Sequence, residues 1–131
     1  MTELTLARKG FMRIFNISKE AVTVYEVSKE RDAEDNSVLT ITSTNATYAK
    51  INRGGETDIK DARVGQIPDA DAVAYFPYNY TTGLIVGNYM AYDSRRFRIE
   101  RVSEYRIAGT SALVYTKVWL KESNAILHTD L

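Results

Sequence analysis

The chain has 131 residues, 44 % of them hydrophobic and 26 % charged, with 17 basic side chains against 17 acidic ones. That length suits a single domain over residues 1–131 whose core needs no disulfide or metal staple. The absence of cysteine excludes disulfides, thiol nucleophiles and thiolate metal sites, and the balanced charge argues against a nucleic-acid coat or a membrane-surface protein.

Residues 2–16 carry the one helical period. Leu4, Ala7, Phe11, Ile14 and Phe15 follow the spacing of a single helix face. Thr2 is placed to cap this helix and Glu3 to favour its first turn, whereas Gly10 weakens its interior. An aromatic face this broad needs a cover, either the chain's own sheet or a neighbouring subunit. Leu4, Thr5 and Leu6 are too short an apolar run for a signal peptide and are soon followed by Arg8 and Lys9. No stretch has the length of a membrane span, so a cytoplasmic origin without membrane contact is expected.

From residue 21 the pattern becomes β. Residues 21–29 are rich in β-branched side chains. Residues 31–37 read as a charged turn, in which Asp32, Glu34 and Asp35 lack the glycine and distal glutamate of a calcium loop. Two short strands are predicted over 38–44 and 47–52, with a tight turn at Thr44 and Asn45 between them. Residues 52–62 are polar and contain Gly54 and Gly55, which predicts a mobile exposed loop; no Lys-Ser pair follows to make a phosphate cradle. A short strand over 63–67 ends before Pro68, and another strand is expected over 72–76. Residues 77–83 form a loop carrying Tyr78 and Tyr80, a residue type favoured at interfaces, as candidate partner contacts.

The last third has the clearest alternation. Strands are predicted over 84–92, 95–107 and 112–121, with turns at Asp93–Ser94 and at 108–111. In the middle strand Phe97 and Ile99 alternate with Arg96, Arg98 and Glu100, giving one dry and one wet face. In the final strand both faces are largely apolar. His128, the only histidine, lies three residues from the end and is expected to be a solvated, fraying tail residue. Short strands, regular turns and one helix define a mainly β fold. The expected architecture is a small antiparallel β-barrel or sandwich with a short N-terminal helix and long exposed loops.

Arg95, Arg96, Arg98, Arg101 and Arg106 put five arginines within twelve residues, close to Tyr89, Tyr92 and Tyr105. One reading is a barrel that binds single-stranded nucleic acid by stacking and phosphate contact. Against it, Arg96 and Arg98 point away from Phe97, and Asp93, Glu100 and Glu104 offset the charge. Cross-strand and intersubunit ion pairing is the preferred account, with Arg96 and Arg98 as interface residues. No catalytic, cofactor-binding or metal-ligating set is legible, so an interaction protein is expected and not an enzyme.

Residues 83–102, followed by a polar turn and residues 112–122, resemble the head-closure or head-tail connector (stopper) proteins of tailed bacteriophages. That family carries a strand ending in a glycine–aspartate-like step, a short turn, a strand alternating basic and apolar residues, and a final strand of leucines and aromatics. Here the step is Gly87–Asn88, a departure from the acidic residue, while residues 96–102 match the core strand in pattern. The resemblance implies a structural protein of the virion neck, made in the host cytoplasm. It would assemble as a homo-oligomeric ring, commonly a dodecamer, below the portal or adaptor protein, closing the DNA-filled head and docking the tail tube or tail-completion protein. DNA would pass through the lumen without sequence-specific binding. By this analogy Arg53, Gly54, Gly55, Glu56, Asp58, Lys60 and Asp61 form a candidate lumen or gating loop. Leu4, Phe11, Ile14 and Phe15 would pack within the ring or against the adaptor. A tail-completion or terminator protein shares the same setting and is the structural alternative.

Overall fold

The computed structural model describes residues 3–31, 37–53, 70–107 and 112–129. One helix and seven strands follow in chain order: α1 (Glu3–Ser18), β1 (Glu20–Arg31), β2 (Ser37–Arg53), β3 (Ala72–Pro77), β4 (Tyr89–Tyr92), β5 (Arg95–Arg106), β6 (Leu113–Glu122) and β7 (Leu127–Thr129). The strand order is β1-β4-β5-β6-β3-β2-β7, and β1 also pairs with β2. Six strands therefore close on themselves through antiparallel ladders, and β7 adds to β2 in parallel. The fold is mainly β with one N-terminal helix, as the composition and alternation predict.

The core follows from the two-residue strand period. Val22 and Val24 of β1, Ala49 and Ile51 of β2, and Ala72, Ala74 and Phe76 of β3 meet Met90 and Tyr92 of β4, Phe97 and Ile99 of β5, and Val118 and Leu120 of β6. Each of the six strands thus gives one face to a single interior. Tyr92 and Phe97 stack with ring centroids 4.7 Å apart across the β4–β5 ladder. The alternation of Phe97 and Ile99 with half-exposed Arg96, Arg98 and Glu100 is as the sequence predicts.

Helix α1 lies on the outside of this sheet, against β6, β2 and β3. Phe15 is buried, and Phe11 stacks on Phe15 and on Tyr115 of β6, at 5.7 and 5.1 Å. Arg8 fixes the other end: its Nε donates to the Leu113 carbonyl at 3.0 Å and its guanidinium lies 3.9 Å from the Tyr78 ring centre. The helix runs to Ser18, two residues past the predicted end, where the Ser18 hydroxyl donates to the Ile14 carbonyl.

Several predicted elements are corrected. The turn at Thr44 and Asn45 does not form, because β2 runs unbroken from Ser37 to Arg53 with these residues paired to Tyr25 and Val24. Asn45 turns its amide sideways to Glu26 and Ser43 and leaves the backbone extended. The irregularity falls nearby instead, where Thr42 is the extra residue of a bulge and its hydroxyl donates to the Glu26 carbonyl at 3.1 Å. Arg53, assigned to the mobile loop, extends β2 one residue past the predicted strand end at Asn52 and pairs with Ala72. The tail is not frayed at His128, which sits in β7 beside Thr40 with an exposed side chain. The predicted connection over 31–37 loses both ends, since Arg31 and Ser37 pair as the last residue of β1 and the first of β2; residues 32–36, the 54–67 region and the turn at 108–111 lie outside the described residues.

The predicted strand over 84–92 shortens to Tyr89–Tyr92. Residues 81–88 form consecutive turns, with the Leu84, Ile85 and Asn88 amides donating to the Thr81, Gly83 and Ile85 carbonyls. The apolar run imitates a strand, but only Leu84 of Leu84, Ile85 and Val86 is buried. Gly83 makes the turn possible: its φ is +77°, and a Cβ there would stand 3.0 Å from Val24 Cγ1. Asn88 then joins the turn to two strands. Its Oδ1 accepts from the Val27 amide at 3.1 Å, its Nδ2 donates to the Gly83 carbonyl at 3.0 Å, and its own carbonyl accepts from Ile99 at 2.8 Å. A carboxylate could accept from Val27 but could not donate to Gly83, which explains why an amide suits this position.

Two outcomes follow for urea unfolding. Phe97→Ala lowers stability by about 3–5 kcal/mol, the range for emptying a buried aromatic site; a loss below 1 kcal/mol would contradict this core. Asn88→Asp costs about 1–3 kcal/mol at neutral pH because a buried carbonyl loses its donor. An unchanged midpoint would show that the side-chain bridge is dispensable.

Candidate interaction surface

The outer face of β4, β5 and β6 collects the arginine cluster. Alternation places Arg96 and Arg98 outward, and the extra residue Glu100 shifts the register so that Arg101 falls opposite Trp119. Arg95 pairs with Glu122, Arg98 with Glu100, and Arg106 with Glu104 at 2.9 Å. Arg101 lies over Trp119, 4.8 Å from the ring centre, and Lys117 lies 4.7 Å from the same ring. Four of the five arginines are thus held by a carboxylate or an aromatic ring of the same chain. The hydrogen bond from Arg95 holds the Glu122 carboxyl below the ordinary glutamate range, and the same bond raises the Arg95 guanidinium. Both side chains are exposed, so this pair adds little stability.

Arg96 differs. Its Nη1 donates to the Ala125 carbonyl at 3.1 Å, and its Nε is buried without a hydrogen-bond partner. No carboxylate pairs with it among the described residues. It lines a cleft of about 450 Å³ together with Ala91, Ser94, Arg95, Glu122, Ser123 and Asn124. The far wall is the segment after β6, tied down by Ser123 N donating to Arg96 O and by Ala125 N donating to Ser123 Oγ. The left-handed residues Asp93 and Ser94, at φ 54° and 60°, form the β4–β5 turn at its rim.

The helix supplies a second surface. Leu4 is half-buried, and Phe11 and Phe15 are covered by the chain's own sheet. Ile14 remains 57 % exposed beside Phe11, Lys50, Asn52, Tyr75 and Tyr115. Leu6 and Ile17, outside the predicted helix face, are exposed with it, Ile17 at 83 %. Their spacing from Ile14 continues the helical period on the solvent side, which is the signal that could have found them. Of the two loop tyrosines, Tyr78 is partly exposed under Arg8, whereas Tyr80 is half-buried and stacks on Phe76 at 5.5 Å. Burial first, and then the charge of Glu26, push the Tyr80 phenol above its ordinary value, so it stays neutral. Arg53 ends β2, and the rest of the candidate gating loop, Gly54 to Asp61, lies outside the described residues.

Among the described residues no group of three or more histidine, aspartate or glutamate side chains could hold a metal ion, and no helix is long and apolar enough to cross a membrane. No protein-family model matches the chain, and no curated protein matches it in sequence. Among solved structures, the chain is similar to the solution structure of protein SF1141 from Shigella flexneri 2a, with a TM-score of 0.54 at 12 % identity, over 83 % of this chain and 97 % of that one. At that identity the likeness concerns the fold alone.

The sign of the Glu122 shift sets a pH dependence. A carboxyl whose folded pKa is depressed stabilises the protein above its unfolded pKa, and that contribution is lost as pH falls through the lowered folded value. Carboxyl-detected NMR titration should place Glu122 below an ordinary glutamate, and Arg95→Gln should return it to the ordinary range. Identical titrations in both proteins would show that the ion pair does not persist in solution.

Proposed function

We propose that this chain is a structural subunit of a bacteriophage neck, assembling as a homo-oligomeric ring that closes the DNA-filled head and docks the tail. The reading is carried by the resemblance over residues 83–122. It is supported by the part of that stretch in strands: Tyr89–Tyr92, Arg95–Arg106 and Leu113–Glu122 pair side by side within the closed sheet, whereas residues 83–88 form turns where the resemblance has a strand. The inner face of that sheet is filled by its own side chains, so function is left to the outside. Outside lie exposed apolar residues on separate elements, namely Leu6, Ile14 and Ile17 on α1, Ile85 and Val86 in the 81–88 turns, and Ile126 before β7. A ring needs two different patches on each subunit, because its contacts are head-to-tail. Ion pairs within the chain also engage Arg95, Arg98 and Arg106, which favours this reading over single-strand binding.

The ring would sit below the portal or adaptor and offer its other side to the tail. DNA passing its lumen would meet no sequence-reading surface. The test is genetic and biochemical. Phage assembled without this protein should give packaged heads that lose their DNA and tails that stay unattached, with both defects reversed when the purified protein is added. Normal yields of tailed, infectious particles in its absence would reject the proposal.

A further inference from the structure

We infer that copies of this chain join by strand addition, the open edge of β1 in one subunit pairing with the open edge of β2 in the next. The inference rests on the ring reading for its head-to-tail symmetry and names a contact that reading does not specify. β1 is paired with β2 along its whole length. On the other edge of β1, β4 covers only Thr23 to Tyr25. On the other edge of β2, β7 covers Leu39 to Ile41 and β3 covers Lys50 to Arg53. Among the described residues, β1 beyond Tyr25 and β2 between Ile41 and Lys50 each keep an edge with no strand beside it, and such an edge is a template for another chain.

The phase of the ladder fixes which backbone groups are open. In an antiparallel strand the N–H and C=O of one residue point to the same edge, and those of the next residue to the other. The Val27 amide donates to Asn88 on the β4 side. The Val27 carbonyl and both backbone groups of Lys29 therefore point that way too. Thr23 and Tyr25 share this phase, so their partners Ala46 and Thr44 turn their backbone groups to the far edge of β2. Lys29, Thr44 and Ala46 are exposed. There is room beside β1, where Val27 and Lys29 line an open groove of about 370 Å³ with Leu39, Gly87, Tyr89 and Arg98.

Symmetry and charge select the second copy as the occupant. Neighbours in a ring of many subunits differ by a small rotation, so their β1 strands run nearly parallel. β1 of one subunit then runs antiparallel to β2 of the next, the sense in which β1 and β2 already pair within the chain. Lys29 comes to face Thr44, and Val27 to face Ala46. Two β1 edges meeting at Lys29 would set like charges directly opposite each other, whereas the β2 edge offers the neutral Thr44, Asn45 and Ala46. The far edge of β2 is able to take a strand, since β7 is added to it in parallel at Leu39 to Ile41.

The experiment is sedimentation velocity of the full chain over a concentration series, repeated for Lys29→Pro and Ala46→Pro. Each proline removes one N–H from an open edge and leaves the β1–β2 ladder its own bonds, a place where strands accept proline. The wild type should self-associate as concentration rises. Each variant should stay monomeric, with a urea midpoint close to that of the wild type. An equimolar mixture of the two variants should form a heterodimer and nothing larger, because each retains one intact edge. Where a variant fails to fold, amide exchange in the wild type reads the same contact: the Lys29 and Ala46 amides should exchange about tenfold more slowly in the assembled protein than in the monomer. The inference is overturned by a wild type that is monomeric at every concentration, by assembly that survives either proline, by a mixture that stays monomeric, or by equal exchange in both states. Assembly that survives both prolines leaves the ring proposal standing on other contacts. Edge pairing by a protein absent from the virion neck rejects the ring proposal and keeps the contact, so the two failures are separate results.

Discussion

The structure depends on the pairing of β1 with β2. These neighbours in sequence form the longest ladder of the protein, from Glu20 opposite Ala49 to Arg31 opposite Ser37. Without it the remaining ladders make an open sheet whose first and last strands expose unpaired backbone groups. With it the sheet closes, and six inner faces share one core. Closure demands a long β2, because its first part must lie along β1 while residues 50–53 reach β3. It also leaves a weak point, since β4 pairs with β1 over three residues only. Asn88 spans that point, binding the Val27 amide on one side and, through its backbone, Ile99 of β5 on the other. A single buried amide thereby continues the closure where the ladder stops.

The same geometry explains what could be read beforehand. Alternation in β5 is legible because Phe97 and Ile99 face the core while Arg96 and Arg98 face outward, and β6 is apolar on both faces because Val118 and Leu120 face the core while Trp119 lies beneath Arg101 and Lys117. Thr44 and Asn45 have side chains that suit turns, but pairing with Tyr25 and Val24 of β1 holds them extended. The run at Leu84, Ile85 and Val86 is the opposite case, apolar without being buried. β7 was invisible because a three-residue strand has no period of its own and exists through its pairing with β2. At the surface, the arginine cluster could be seen in the sequence but the fate of each arginine could not. Ion pairing inside the chain depends on register, and the bulge at Glu100 sets that register.

Closure also constrains function. Among the described residues the inner faces of the six strands pack on one another, and the helix and the arginine cluster are mounted outside. Helix α1 is mounted by its aromatic side, through Phe11, Phe15 and Tyr115, and this leaves Ile14, Leu6 and Ile17 turned to solvent. The outer face of β5 and β6 is mostly self-neutralised, and Arg96 stands out against that background. In the proposed ring, the exposed apolar residues on α1, in the 81–88 turns and at Ile126 would supply apolar contacts between subunits. That is the physical content of the neck-ring proposal.

The most direct measurement is electron cryo-microscopy of the intact virion, with the neck reconstructed at a resolution that traces strands. The proposal predicts a ring of copies of this closed sheet between the portal or adaptor and the tail, with α1 or the 81–88 turns at the contacts between subunits. A particle whose neck contains no such subunit would contradict it.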